Sequence, residues 1–156
     1  MRKLIDRPLV RKISSSDKMQ WLALWEGYNS FYGRSGASAL PAEITDLTWS
    51  RFFDPTEPVE ALVACVADEL LGLAHYVFHR TTTAAGHACY LQDLFTRSDQ
   101  RGRGIARLLI ENVAAEARKA GAHRLYWQTQ HTNEIARRLY DKVAENSGFI
   151  VYRITL

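Results

Sequence analysis

The stretch "SDQRGRGIARLLIENVAAEARKAGA", Ser98 to Ala122, decides the fold. Apolar residues recur at helical spacing from Ile105 to Ala120, and Gly121 stands where a helix takes its C′ residue. In front of that helix, Arg101-Gly102-Arg103-Gly104-Ile105-Ala106 sets flexible residues among positive ones. The first turn of a helix offers unpaired backbone N–H groups and a partial positive charge. Glycine lets the backbone approach a ligand, and arginine adds fixed charge with a forked donor. Together they predict a phosphate-binding turn at a helix mouth. A plain tight turn with solvated arginines is the alternative that these six residues alone leave open.

Two nucleotide readings of the turn fail on named residues. A P-loop needs a Lys-Ser/Thr pair, and none follows here. A dinucleotide fingerprint needs Gly or Ala three positions after Gly104, where Arg107 stands. It also needs an acid about 20 residues on, and Lys119 to His131 holds no Asp or Glu.

Working outward, Pro8 to Ile13 reads as an extended stretch. Asp17 is placed to N-cap a helix that continues to about Tyr32, with Trp21, Trp25, Tyr28 and Tyr32 on one face. Pro41 to Phe53 reads as a second helix, with Pro41 near its first turn. Ala61 to Ala67, Leu71 to His79 and Ala88 to Thr96 read as strands, and Arg124 to Thr129 as a fourth core strand. Asn133 to about Asn146 reads as a helix, Gly148 ends it, and Phe149 to Thr155 forms a final strand. Antiparallel hairpins come first and a β-α-β unit follows, so the fold class is α+β (mixed α/β), several strands covered by four helices.

The chain has 156 residues, which predicts a single domain over 1–156 with a full-sized core. Hydrophobic residues at 47% and charged residues at 24% are ordinary for a soluble globular protein. No apolar run approaches the roughly 20 residues of a membrane span. The N-terminus, MRKLIDRPLVRK, is basic and lacks the apolar core of a signal peptide. A net charge of +3 mildly favours anionic ligands and falls short of a nucleic-acid protein. Cys65 and Cys89 lie in apolar runs, which predicts buried free thiols in a reducing cytoplasm. His75, His79, His87, His123 and His131 show no metal-ligand spacing, so no metal is expected.

The chain resembles the GCN5-related N-acetyltransferase (GNAT) superfamily. The family's acetyl-CoA motif, Gln/Arg-x-x-Gly-x-Gly/Ala, is matched by Arg101 to Ala106. Tyr90 to Thr96 occupies the place of its fourth strand. Asn133-x-x-Ala136-x-x-Leu139-Tyr140 matches its second signature, and Gly148-Phe149 looks like its terminal Gly-Phe. The match runs from roughly Ala61 to the C-terminus. It departs in the longer spacer Asp141 to Ser147, which resembles the branch that acetylates polyamines, histone tails and D-amino acids.

The resemblance implies a central mixed, mostly antiparallel sheet of about six to seven strands flanked by four helices. It implies acetyl-CoA as co-substrate and a primary amine (polyamine, amino acid or peptide amine) as acceptor. The backbone of Leu94, Phe95 and Thr96 would bind the pantetheine arm, and Arg101, Gly102, Arg103, Gly104, Ile105 and Ala106 the pyrophosphate. Asn133 would contact the pantetheine and Tyr140 would protonate the leaving thiolate. Seven residues separate those two, so they share a helix face. A homodimer is implied too, with the long final strand available to pair across an interface.

The acceptor must arrive neutral, although an alkyl amine has a pKa near 10 (about that of Lys). A base should take its proton, directly or through water. Related polyamine enzymes carry an acidic pair on this strand, and this chain has Gln92-Asp93. Asp93 is the expected base, and Gln92 is expected to contact the acceptor. Adjacent strand residues face opposite ways, so only the presence or absence of a bulge decides which of the two meets the acceptor. Tyr28, Tyr32 and Glu26, with Glu43 and Asp46, suit a cationic acceptor, while Trp21 and Trp25 read as core. Cys89 lacks a neighbouring His-Asp arrangement, so direct attack in a ternary complex is preferred to an acetyl-enzyme. The competing class is a non-catalytic acyl-CoA-binding sensor on the same fold. No nucleic-acid or membrane partner is expected.

Overall fold

Three strands carry the core: β2 (Val59–Val66), β3 (Glu69–His79) and β4 (Ala88–Thr96). The central residues of β2 and β3 are buried on both faces, so these two read as nearly continuous apolar runs, while β4 is broken at its centre by Gln92 and Asp93. The computed structural model describes residues 7–156; the basic stretch 1–6 lies outside them. With β1 (Leu9–Lys12) and β5 (Arg124–Tyr126), the strands form one five-stranded sheet in the order β1-β2-β3-β4-β5. The first three pairings are antiparallel and β4–β5 is parallel.

Each face has its own layer. Helices α1 (Lys18–Phe31) and α2 (Ala42–Arg51) cover one face. There Trp21, Leu24, Trp25 and Tyr28 pack on Val63, Cys65, Leu70 and Leu73. Helix α3 (Ile105–Lys119) covers the other, burying Ile105, Leu109, Ile110, Val113 and Ala117 against Leu62, Leu71, Ala74 and Tyr76. Leu139, Tyr140 and Val143 of α4 (Glu134–Val143) join that second core. Cys65 and Cys89 are buried free thiols in different cores, so they cannot pair.

Several sequence expectations need correction. Asp17 precedes α1, but its carboxylate does not cap the helix. It accepts from Arg11 at 2.7 and 2.9 Å and from the Ser14 N–H at 2.7 Å, tying β1 to the helix start. Strand β5 stops at Tyr126 rather than Thr129. Helix α4 ends at Val143 rather than near Asn146. Beyond it Asn146 Oδ1 accepts from the Gly148 N–H and Ser147 Oγ from the Phe149 N–H, local bonds that compete with helix continuation. Phe149 to Thr155 joins no sheet, so the described residues form five strands rather than six to seven. Among the described residues no helix is long and apolar enough to cross a membrane.

Candidate active site

One extra residue in β4 builds the site. His75 of β3 lies opposite Asp93, but the next residue, Tyr76, lies opposite Leu91. Gln92 is therefore bulged out of the ladder. Without the bulge Gln92 would oppose His75, and Asp93 would turn to the α3 face. With it, Asp93 turns toward α1 and is 9% exposed, while Gln92 is exposed and makes no hydrogen bond among the described residues.

Above Asp93 runs a ladder of rings on α1. Trp21 and Trp25 stack at 5.8 Å, Trp25 and Tyr28 at 5.4 Å, and Tyr28 and Tyr32 follow at 5.0 Å between centroids. Trp21 and Trp25 are core, as the sequence implied. Burial and then the nearby Asp93 carboxylate push the Tyr28 phenol up, and the same two causes raise Tyr32. Tyr140 packs edge-on against Trp127 at 5.4 Å. Burial, with a smaller contribution from Tyr32, pushes its phenol up to about 12, so it holds its proton at neutral pH. Asp93, Tyr28 and Tyr32 thus lie together, and Tyr140 stands within reach of the Tyr32 charge. Glu26 is exposed on the solvent side of α1 and makes no hydrogen bond or ion pair among the described residues, so the structure does not bring it to this group.

Two side chains that the sequence reading passed over belong to the group. His75, read there only as a histidine without metal-ligand spacing, contacts Asp93 Oδ2 through Nδ1 at 2.9 Å. Arg34 lies 5.6 Å over the Tyr28 ring and 5.5 Å over the Tyr32 ring. Its Nε donates to Asn29 Oδ1 at 2.7 Å, and the Asn29 Nδ2 donates to the Trp25 carbonyl. No local motif marks either residue.

The features suited to acetyl-CoA adjoin this group. Strand β5 pairs with β4 only at Ala88, Cys89 and Tyr90. From Leu91 to Thr96, β4 therefore pairs with β3 alone and leaves its other edge free for an extended ligand. The buried Thr96 hydroxyl has no hydrogen-bond partner among the described residues. Gly104 (φ 78°) opens α3, and a Cβ built on it meets nothing within 4 Å. Arg101 lies over Phe31 and Phe95 at 6.0 and 5.8 Å, and Arg103 bonds Gln100. Ile105 is buried in the α3 core, and Ala106 lies in the helix's first turn. Asn133 precedes α4 and lines a groove of about 350 Å³ with Phe31, Tyr32, Gln130 and Thr132. The free strand edge, the open helix mouth and the groove fit a long anionic thioester.

The fold and these features suit an acetyltransferase. The sequence profile of the acetyltransferase (GNAT) family matches residues 21–144, and the chain belongs to that family. It is an acetyl-CoA-dependent acetyltransferase, which decides against a non-catalytic sensor. The chain is 33% identical over 150 residues to the D-amino-acid N-acetyltransferase HPA3 of Saccharomyces cerevisiae, covering 95% of this chain and 91% of that protein. It is 29% identical over 101 residues to a thialysine N-epsilon-acetyltransferase of Caenorhabditis elegans, covering 62% of each. The structure of AAC(6′)-Iy in complex with a CoA-S-monomethyl-acetylneamine bisubstrate analogue shares the fold at a TM-score of 0.80 and 14% identity, covering 96% and 99% of the two chains.

Proposed function

We propose that this chain is one acetyltransferase domain that moves the acetyl group of acetyl-CoA to the primary amine of an amino acid, by direct attack in a ternary complex. The observation that carries the choice of acceptor is the placing of Arg34 and Asp93 on the same two tyrosines. A carboxylate on the cation side and an amine on the anion side describe a zwitterion. A polyamine has no group for Arg34. The yeast relative's named substrate class agrees with this choice.

In this reading the first turn of α3, with Arg101 and Arg103, neutralises the pyrophosphate. The free edge of Leu94 to Thr96 receives the pantetheine amides, and Asn133 bonds the same arm. Asp93 takes the amine proton, and a backbone N–H of β4 steadies the oxygen that gains charge as the amine attacks. Tyr140 supplies the proton to the departing sulfur. Arg34→Gln tests the acceptor. The KM for the amino acid should rise about tenfold or more, with the acetyl-CoA KM within about twofold. An unchanged amino-acid KM would refute the zwitterion reading.

We also propose a homodimer in a reducing, cytoplasmic setting. Phe149, Tyr152 and Ile154 are 88%, 87% and 86% exposed, in a β-prone run that joins no sheet. Strand β5 pairs on one side only, so its free edge suits that run from a second copy. The buried thiols Cys65 and Cys89 favour the compartment. Light scattering should give a dimer that Tyr152→Asp with Ile154→Asp converts to monomer. A wild-type monomer at micromolar concentration would refute it.

A further inference from the structure

We propose that His75 is a positioning residue for Asp93, held by Trp21 as the neutral Nδ1–H tautomer so that its single proton is donated to the carboxylate. The proposal rests on the reading of Asp93 as the base. An indole N–H donates and cannot accept. Trp21 Nε1 lies 3.0 Å from His75 Nε2, and the two residues are 0% and 2% exposed. Nε2 must therefore present its lone pair to Trp21, which leaves the proton on Nδ1. That nitrogen lies 2.9 Å from Asp93 Oδ2. The hydrogen bonds run one way, from indole to imidazole to carboxylate.

The surroundings keep this arrangement closed. Trp21, Trp25 and Phe52 wall the imidazole at 6.0, 5.2 and 4.7 Å between ring centroids. An imidazolium would set its second N–H head-on against the Trp21 N–H. Both ring nitrogens are therefore occupied, and His75 is neither the proton acceptor nor a metal ligand. In a Ser-His-Asp triad the carboxylate fixes the imidazole. Here the order is reversed, and the imidazole fixes the carboxylate. The bond to Oδ2 holds the Asp93 side chain beside the Tyr28 phenol, and the carboxylate's remaining lone pairs serve the ammonium proton of the acceptor. The β4 bulge makes this possible, because it alone sets Asp93 opposite His75.

Nitrogen-15 NMR of the labelled, full-length protein reads the tautomer without reference to activity. His75 should show the Nδ1–H form as its one neutral tautomer, and Trp21→Phe should release it to a mixture of the two tautomers. A wild-type imidazolium or an Nε2–H tautomer would overturn the proposal. In kinetics, His75→Leu removes the donor and keeps the site filled. Its kcat should fall about tenfold or more with the acetyl-CoA KM within about twofold. His75→Asn, whose amide N–H stands where Nδ1 stood, should recover most of that loss. Asp93→Asn is measured beside them. Full activity in Asp93→Asn would overturn the base reading itself. A large loss there with His75→Leu unchanged, or with no recovery in His75→Asn, would overturn the positioning role alone.

Discussion

Placing a methyl group at Gly104 separates binding from folding. Gly104 has φ 78°, and an added Cβ meets nothing within 4 Å. Gly104→Ala therefore carries only the backbone penalty for a left-handed L-residue, about 1–2 kcal/mol. Loss of chain freedom in the unfolded state offsets about 0.4–1 kcal/mol of it. The net is about 1 kcal/mol, a Tm shift of roughly 2–4 °C. Gly121, at the other end of α3, has φ 73° and the same open surroundings, so Gly121→Ala should show the same shift. Only Gly104 faces the proposed pyrophosphate site. Isothermal titration with acetyl-CoA should show affinity reduced at least about tenfold, roughly 1.4 kcal/mol, in Gly104→Ala and unchanged in Gly121→Ala. Equal affinities in the two variants would refute the helix mouth as the phosphate site.

Tyr140→Phe keeps the ring against Trp127 and removes only the proton, so kcat should fall about 10²–10⁴-fold with acetyl-CoA affinity near normal; steady-state rates within twofold of wild type would assign the proton to another group. A Cβ at Gly72 would sit 2.7 Å from the Phe95 carbonyl and 3.3 Å from Ile105 and Leu109. Backbone cannot yield there, so thermal denaturation of Gly72→Ala should show a loss of about 1–3 kcal/mol. The bond from Arg11 holds the Asp17 carboxyl below its usual range, so its contribution is present above the ordinary carboxylate pKa and is lost as pH falls through the folded value. Asp17→Asn should cost about 1–2 kcal/mol at pH 7, as Arg11 is partly solvated, and urea titrations should show the gap closing below about pH 4.

Local chemistry made most of the fold legible. The β4 boundaries, the start of α3 and the Gly121 stop each follow from signals within a few residues. The aromatic stripe was legible for the same reason, because spacing alone fixes a helix face. Features that depend on distant partners were not. The bulge at Gln92 depends on how β4 matches β3, and neither strand alone encodes it. Asp17 looked like a cap until Arg11, six residues back, claimed its carboxylate. Phe149 to Thr155 has strand composition but no neighbouring strand within the described chain. His75 and Arg34 carry no motif and gain meaning only once β4 and α1 are set around them.

The measurement closest to the central claim is CoA release from acetyl-CoA over an acceptor panel, run on wild type and on Asp93→Asn. The panel holds D- and L-amino acids, lysine, spermidine, spermine, an aminoglycoside, an arylamine and a histone-tail peptide. Amino acids should turn over fastest, with rates rising to about pH 9 as more of the amine becomes neutral. Asp93→Asn should lose at least about a hundredfold in kcat. Release with arylamines or hydroxyl acceptors alone, or an Asp93→Asn enzyme as fast as wild type, would contradict the account.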